Sequence, residues 1–410
     1  MIVEGLCLAG ASLILYALGG VLGAEIEEKR NPIPEFKLEP KPVLPSNKVE
    51  KNAFAIKIEQ VCKTNKICNK DDEYVRVTGY GCLDQVHYYW LHIPKGLTAK
   101  KLMDCEQEFS QYLKKHVKIV KHQYDVVVKV YDRDLPRYIA NVNLTPSDDK
   151  MVRFPIGQGW DKIFWWDLKQ RTHAYFGGET GSGKSSLTHS IITYSTLHYP
   201  DLELVLVDFK DAELSIYENM TNVIYYETDV HKVTKLVEQT KKEVRERFVK
   251  MKEHHAKDWK DYNQLNPSDP IKQRLIIFDE VYDFMELNKD EVAVLKSLAV
   301  ILSKCRACGI HFLFSTQKAV DKVLPSELTT HLSYRVGLRF EKSKDSENLL
   351  DCTELSQIPP SYKGRGYVKT DNGLEEFQAF YVTEERKEQI ALAHQRQEVA
   401  EEETIEGWLV

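Results

Sequence analysis

Short apolar runs alternate with amphipathic stretches between about residue 160 and residue 382. The runs at 172–176, 202–208, 275–278 and 311–316 predict buried β-strands, and the apolar spacing at 186–197, 230–255 and 291–308 predicts helices. A glycine, Gly309, follows the last of these helices at the cap position. Strands that read as continuous apolar runs between helices indicate an α/β fold with a mainly parallel sheet covered on both faces.

The first residues form a different kind of pattern. Residues 5–24 contain no charge and are rich in Leu, Ala and Gly, which is long enough for one helix to cross a bilayer. A secretory signal peptide is the rival interpretation, but only Glu4 and the amino terminus precede the run, where a signal peptide has basic residues. We expect residues 1–25 to anchor the protein in the cell membrane as a single-pass transmembrane helix. The bulk of the chain is then expected to lie in the cytoplasm.

The remainder divides by composition. Five prolines in 31–46 indicate an extended linker at 26–48, and 49–150 reads as a small α+β domain with strands near 74–77, 88–93 and 126–130 and a helix at 99–116. We assign the α/β region to 151–385 and an acidic helical tail to 386–410. The formal net charge of −6 argues against a wholly nucleic-acid-coated protein but allows a local basic channel.

One motif carries specific chemistry. Residues 178–185 fit the pattern G-x-x-x-x-G-K-[ST] between a predicted strand and a predicted helix. Glycines let successive backbone N–H groups converge on phosphate oxygens, and the helix start adds positive potential. We expect ATP bound by this loop, with Lys184 on the β- and γ-phosphates and Ser185 on Mg²⁺. The predicted cofactor-binding residues are Gly178, Glu179, Thr180, Gly181, Ser182, Gly183, Lys184, Ser185 and Ser186.

A second motif lies about 95 residues later. The apolar run 275–278 leads into Asp279 and Glu280, the pattern of a strand that ends at a magnesium site. Asp279 is the predicted metal ligand with Ser185, and Glu280 is the predicted residue that orients or deprotonates the attacking water. Gln317, at the end of the next strand, is placed to contact the γ-phosphate or the water.

Together these motifs resemble the FtsK/SpoIIIE branch of the FtsK/HerA P-loop motor ATPases over about residues 167–382. The resemblance rests on Asp167-Leu168 before the loop, Val207-Asp208-Phe209-Lys210 with Glu213-Leu214 after it, Glu243–Phe248, and Arg306–His311 through Ser315-Thr316-Gln317. It implies a RecA-like motor domain, a homo-hexameric ring, and DNA, single- or double-stranded, in the central channel. It also implies an arginine donated by a neighbouring subunit, for which Arg247 is the candidate and Arg245 the alternative.

The chain departs from the chromosome-segregating members of that family. It has one predicted span, and fewer than about 30 residues follow its last predicted strand, too few for a winged-helix domain. The closer resemblance is to the coupling ATPases of Gram-positive conjugative elements, which implies a relaxase and transfer-channel proteins as partners. Two alternatives stay open: an EssC-type protein-secretion ATPase and a chromosome or plasmid partitioning translocase. Lys318, Lys322, Arg335 and Arg339 are weak candidates for DNA contacts.

Overall fold

The computed structural model describes residues 53–122, 125–140, 144–146, 151–288, 292–319, 324, 326–371 and 373–396. These residues form two compact units, divided between Asp134 and Leu135. The predicted membrane span, the proline-rich linker and residues 397–410 of the predicted tail lie outside the described residues. Within the described residues, no helix combines the length and the apolar character that a membrane crossing requires.

The first unit is a four-stranded antiparallel sheet with helices on one face, in the strand order β1-β2-β4-β3. Its elements are α1 (Ala53–Thr64), β1 (Arg76–Leu83), β2 (Val86–His92), α2 (Ala99–Met103), α3 (Glu106–Leu113), β3 (His116–His122) and β4 (Asp125–Tyr131). The helix predicted at 99–116 is two helices, because the chain turns at Cys105 and ends α3 with Lys114 in a left-handed conformation. β3 is a strand that the apolar pattern does not predict, and its Val117 and Ile119 pack into the core of this unit.

The second unit contains the predicted α/β region. Its elements are β5 (Ile139–Ala140), β6 (Arg153–Gly159), β7 (Ile163–Asp167), β8 (His173–Gly177), α4 (Lys184–His198), β9 (Glu203–Val207), β10 (Val223–Glu227), α5 (Val230–Glu253), α6 (Trp259–Leu265), β11 (Arg274–Phe278), α7 (Val281–Leu287), α8 (Val292–Cys308), β12 (Ile310–Thr316), α9 (Ser326–Thr329), β13 (Tyr334–Leu338), α10 (Ser343–Leu350), β14 (Arg365–Thr370), β15 (Gly373–Tyr381) and α11 (Glu384–Ala393).

The strands form one sheet in the order β10-β9-β11-β12-β8-β13-β14-β15-β6-β7, with β5 paired to β15. The first six are mutually parallel, as predicted. β14, β15, β6 and β7 extend the sheet in antiparallel pairs, which the apolar pattern does not predict. The division falls at 134 rather than near 150 because β5 already belongs to this second sheet.

Successive residues of the central strands enter two different cores. Leu275 and Ile277 pack with α4 on one face, and Ile276 and Phe278 pack with α5 and α8 on the other. Because both faces are covered, the parallel strands lose the polar alternation of half-exposed strands and read as unbroken apolar runs. The carboxyl ends of these strands therefore meet at one edge, which is where polar side chains can collect.

Candidate nucleotide-binding site

The glycine-rich loop leaves the carboxyl end of β8, between β12 and β13 near the middle of the sheet. Gly181 and Gly183 have φ angles of 79° and 102°, in the left-handed region that favours glycine. A Cβ on Gly183 would lie 3.0 Å from the backbone nitrogen of Gly364. The curl of the loop therefore requires glycine at both positions, of which the motif specifies Gly183.

Backbone hydrogen bonds hold the loop on both sides. The Gly178 N–H donates to the Thr316 carbonyl at 3.1 Å, and the Gly364 N–H donates to the Ser182 carbonyl at 2.7 Å. On the β13 side, Glu179 forms an ion pair with Arg339. The loop is fixed by the parallel sheet and by the segment before β14, so its shape does not depend on its own sequence alone.

Lys184 lies at the first position of α4 and is buried, with 3% of its surface exposed. Its Nζ donates to Ser315 Oγ at 2.8 Å, to the Asp279 carbonyl at 3.0 Å and to Asp279 Oδ1 at 3.2 Å. The charge of Lys184 is thus offset by the carboxylate of the second motif, because an unpaired buried ammonium would be strongly destabilising. The structure brings the two motifs into direct contact.

Glu280 lies beside this pair and is also buried. Thr316 Oγ1 donates to Glu280 Oε1 at 2.8 Å, and the Gln317 N–H donates to Oε2 at 2.9 Å. Burial raises the pKa of the Glu280 carboxyl above its usual range, against the opposing effect of Lys184. A carboxylate fixed by two donors and made more basic by burial is suited to accept a proton from water.

The remaining predicted residues complete the same edge. Thr180 Oγ1 donates to the side-chain oxygen of Gln317 at 2.9 Å, which connects the glycine-rich loop to the end of β12. Ser185 and Ser186 are half-buried in the first turn of α4. The Ser182 hydroxyl is buried and has no hydrogen-bond partner within the described residues. Lysine, hydroxyl and helix N–H donors beside two carboxylates fit a magnesium triphosphate, with Ser185 and Asp279 as the residues that would hold the metal.

Arg247 does not lie at this edge, and its surroundings do not support the predicted role in a neighbouring site. It is buried on α5, forms an ion pair with Glu243 at 2.7 Å, and donates to the carbonyls of Cys308 at 2.7 Å and Lys272 at 2.8 Å. These contacts fasten α5 to the loop before β11 and to the end of α8. The geometry favours a structural role for Arg247, whereas Arg245 on the same helix is exposed.

The weak candidates for DNA contacts also have local partners. Arg335 donates to the carbonyls of Thr329 and Leu332, and Arg339 pairs with Glu179 at the loop. Lys318 Nζ lies 5.0 Å from the centroid of the Tyr282 ring. Lys322 lies outside the described residues.

One residue near the site has a role that the motifs do not assign. The Asp208 carboxylate, at the end of β9, accepts from the backbone N–H groups of Lys210, Ala212, Glu213 and Leu214 at 2.9–3.1 Å. The loop after β9 is therefore organised by a single buried side chain, and the charge of Lys210 in that loop partly offsets the rise in the Glu280 pKa that burial causes. An aspartate that ends an apolar strand was the available signal in the sequence.

Comparisons with known proteins agree with this geometry. Residues 140–347, just over half of the chain, match the FtsK/SpoIIIE family. DNA translocase FtsK of Helicobacter pylori is 31% identical over 234 residues, which cover 55% of this chain and 27% of that protein. ESX secretion system protein EccC of Thermomonospora curvata is 29% identical over 253 residues, which cover 57% of this chain and 19% of that protein. The chain therefore spans about a quarter or less of the length of these two curated relatives.

A solved structure extends the likeness beyond the matched region. The pCW3 conjugation coupling protein TcpA, in its monomer form with ATPγS, has a TM-score of 0.59 to this chain. The likeness covers 83% of this chain and 99% of that one at 20% sequence identity. Identity at that level shows a shared fold.

Proposed function

The chain belongs to the FtsK/SpoIIIE family, and on that premise we propose that it is an ATP-driven DNA translocase, working at the membrane as a coupling protein for conjugative DNA transfer. One observation carries the motor activity. Lys184, Asp279, Glu280 and Gln317, from three separate stretches of sequence, meet at the carboxyl edge of adjacent parallel strands. This is the set that phosphoryl transfer to water needs: a cation for the phosphates, a metal ligand and a base.

The residues divide the work by position. Lys184 moves from Asp279 and Ser315 to the phosphates of ATP, where its charge stabilises negative charge that develops on transfer. Ser185 and Asp279 would hold Mg²⁺, which would supply further neutralisation of the phosphate oxygens. Glu280, fixed by Thr316 and the Gln317 N–H, orients the water and accepts its proton.

Gln317 gives the site a way to report its state. Its backbone holds Glu280 and its side chain holds Thr180 of the glycine-rich loop. A change in the loop when phosphate leaves is therefore transmitted to the end of β12. We propose that a ring of six identical subunits uses this connection to move DNA.

The cargo and setting rest on resemblance. H. pylori FtsK, named a DNA translocase, shares 31% identity, and the fold of a conjugation coupling protein matches most of the chain. Membrane anchoring through residues 1–25, a relaxase and transfer-channel proteins as partners belong to the same proposal. Protein secretion is the second candidate, because the secretion protein EccC shares 29% identity.

The test is ATP hydrolysis by the full chain with and without DNA. We expect DNA to stimulate turnover, and we expect Lys184→Ala and Glu280→Gln each to reduce it by about 100-fold or more, since each removes a group that acts in the transition state. Glu280→Gln keeps ATP binding, whereas Lys184→Ala weakens it. Lys235→Ala, which removes an exposed cation of α5, is the matched control and keeps full turnover.

Two outcomes would count against the proposal. Full DNA-stimulated turnover in both variants would show that this edge is not the hydrolytic site. Stimulation by a secretion-substrate peptide, with none by DNA, would replace DNA transfer by protein export.

A further inference from the structure

A cavity of about 480 Å³ opens at the amino edge of the second sheet. Its lining includes Gln273, which precedes β11, and His311, the second residue of β12. His311 Nδ1 donates to the carbonyl of Thr172, just before β8, whereas the glycine-rich loop follows the other end of β8. The cavity is therefore separated from the nucleotide site by the length of the strands.

The wall of this cavity is basic. Five cations line it: Lys169, Lys257, Lys260, Lys304 and Arg306. None of the five makes an ion pair with a carboxylate of the described residues, and the lining carboxylate, Asp258, is used to cap α6 by accepting from the Asp261 N–H at 2.9 Å. Arg306 lies in the last turn of α8, where a positive charge interacts favourably with the helix dipole. The helix dipole does not explain the positions of the lysines at 169, 257 and 260.

The cavity also has an apolar surface. The ring of Trp259 packs on Gly309 so closely that a Cβ there would lie 3.0 Å from it, and Lys260 Nζ lies 5.3 Å from the ring centroid. His311 adds no charge, because burial lowers its pKa to about 4 and Gln273 donates to its Nε2 at 2.8 Å. Cations beside an aromatic ring suit a carboxylate-rich peptide that also carries apolar side chains.

The chain itself contains such a peptide. Residues 397–410 follow the last described residue and include five glutamates between 398 and 406, together with the apolar residues Ile405 and Trp408. The described chain ends at the same edge of the sheet: the Arg396 N–H donates to the Asn219 carbonyl at 2.8 Å, shortly before β10 begins. β9 alone separates β10 from β11, so the amino ends of β10 and β11 lie about 10 Å apart, at two strand spacings, and Gln273 directly precedes β11. Four extended residues span about 13 Å, so residues 401–403 are within reach of the cavity.

We propose that this cavity is the docking site for the acidic segment 398–406 of the same chain. The glutamates at 401, 402 and 403 pair with the cations of the wall, and an apolar residue of the segment packs on Trp259. The local concentration of cations is then explained in a chain whose net charge is −6. This proposal stands independently of DNA transfer and of ATP hydrolysis.

Photo-crosslinking of the full chain tests it directly. A p-benzoyl-phenylalanine replaces Ser303, an exposed and uncharged residue of the lining, and the crosslinked peptides are identified by mass spectrometry. We expect crosslinks to residues 397–410 within one chain, with a yield that falls several-fold between about 0.1 and 1 M salt as the charges are screened. The same crosslinker in place of Lys235, an exposed residue of α5, is the control and gives no such product.

Charge reversal distinguishes docking from proximity. We expect the crosslinking yield to fall at least about tenfold in the triple variant Glu401→Lys, Glu402→Lys and Glu403→Lys. We expect a similar fall in the double variant Lys257→Glu and Lys260→Glu. A protein that carries both sets of substitutions is expected to regain the yield. Products that join two chains would assign the segment to a second copy, and crosslinks to DNA alone would assign the cavity to nucleic acid. Either result, or a yield insensitive to charge reversal, overturns the proposal.

Discussion

At the scale of single residues, the site is a buried arrangement of opposite charges. Lys184, Asp279 and Glu280 are each less than 5% exposed, and every one has a hydrogen-bonding partner. Removing one of these side chains would leave another charge buried without a partner, so substitutions here are expected to lower the stability of the fold as well as the activity. The residue types and spacing of both motifs predict these roles, because phosphate and magnesium chemistry demands those groups in that order.

Arg247 shows where residue type alone misleads. An arginine on a charged helix reads equally well as a surface residue, a structural residue or a residue offered to a neighbour. Only the packing of α5 against β11 and α8 places its guanidinium under the Cys308 and Lys272 carbonyls. That placement depends on contacts about 25 and 61 residues away in sequence, which a local pattern does not contain.

We therefore expect Arg247→Ala to lower the free energy of unfolding by about 2–4 kcal/mol, since it leaves two carbonyls and part of Glu243 without a donor. Arg245→Ala, the exposed control on the same helix, leaves it unchanged. Denaturant unfolding of each variant measures the difference. The expectation is wrong if Arg247→Ala is as stable as the unaltered protein but has lost ATP turnover. In that case mixing it with Glu280→Gln subunits, which still carry Arg247, would restore turnover and show that the arginine acts in a neighbouring site.

At the scale of elements, the parallel strands and their helices are predictable from the sequence because both sheet faces are covered. The antiparallel strands β6, β7, β14 and β15 are not, since their pairing is set by distant partners. Their importance is clear from Gly364, which precedes β14 and donates to Ser182 of the glycine-rich loop. Arg365, the first residue of β14, connects these strands further, because its side chain donates hydrogen bonds to Gln378 of β15 and to the carbonyls of Leu135 and Pro136.

Two buried histidines tie β8 to β12 and make the stability of the sheet dependent on pH. His173 accepts from the Phe312 N–H and donates to the Leu302 carbonyl, and burial lowers its pKa to about 3, while the pKa of His311 falls to about 4. In the unfolded chain both titrate near 6.5. The unfolded state therefore binds more protons below that pH, and stability falls as the pH is lowered.

We expect the free energy of unfolding to decline between pH 6 and pH 4.5 by up to about 1.4 kcal/mol per pH unit for each histidine. His173→Gln and His311→Gln lower stability at neutral pH and flatten this slope, whereas His231→Gln, an exposed control, does not. Denaturant unfolding across the pH range supplies the measurement. A slope that is the same in all of these proteins would contradict the assignment.

At the scale of the whole molecule, the order of elements predicts an α/β region, and residues 140–347 match the FtsK/SpoIIIE family. The assembly and the DNA path are not predictable from the sequence pattern in the same way, because a ring contact or a DNA path depends on surfaces that only the assembled protein defines. The basic cavity and the acidic segment also belong to this scale, because the proposed docking joins parts of the chain that are far apart in sequence.

The central claim is that ATP hydrolysis at the Lys184–Glu280 site moves DNA. Displacement of a triplex-forming oligonucleotide from duplex DNA by the full chain tests it most directly, since displacement requires directed movement along the DNA. We predict displacement that depends on ATP, is lost in Glu280→Gln and is retained in Lys235→Ala. ATP turnover stimulated by duplex DNA, with no displacement of the third strand, would contradict the claim.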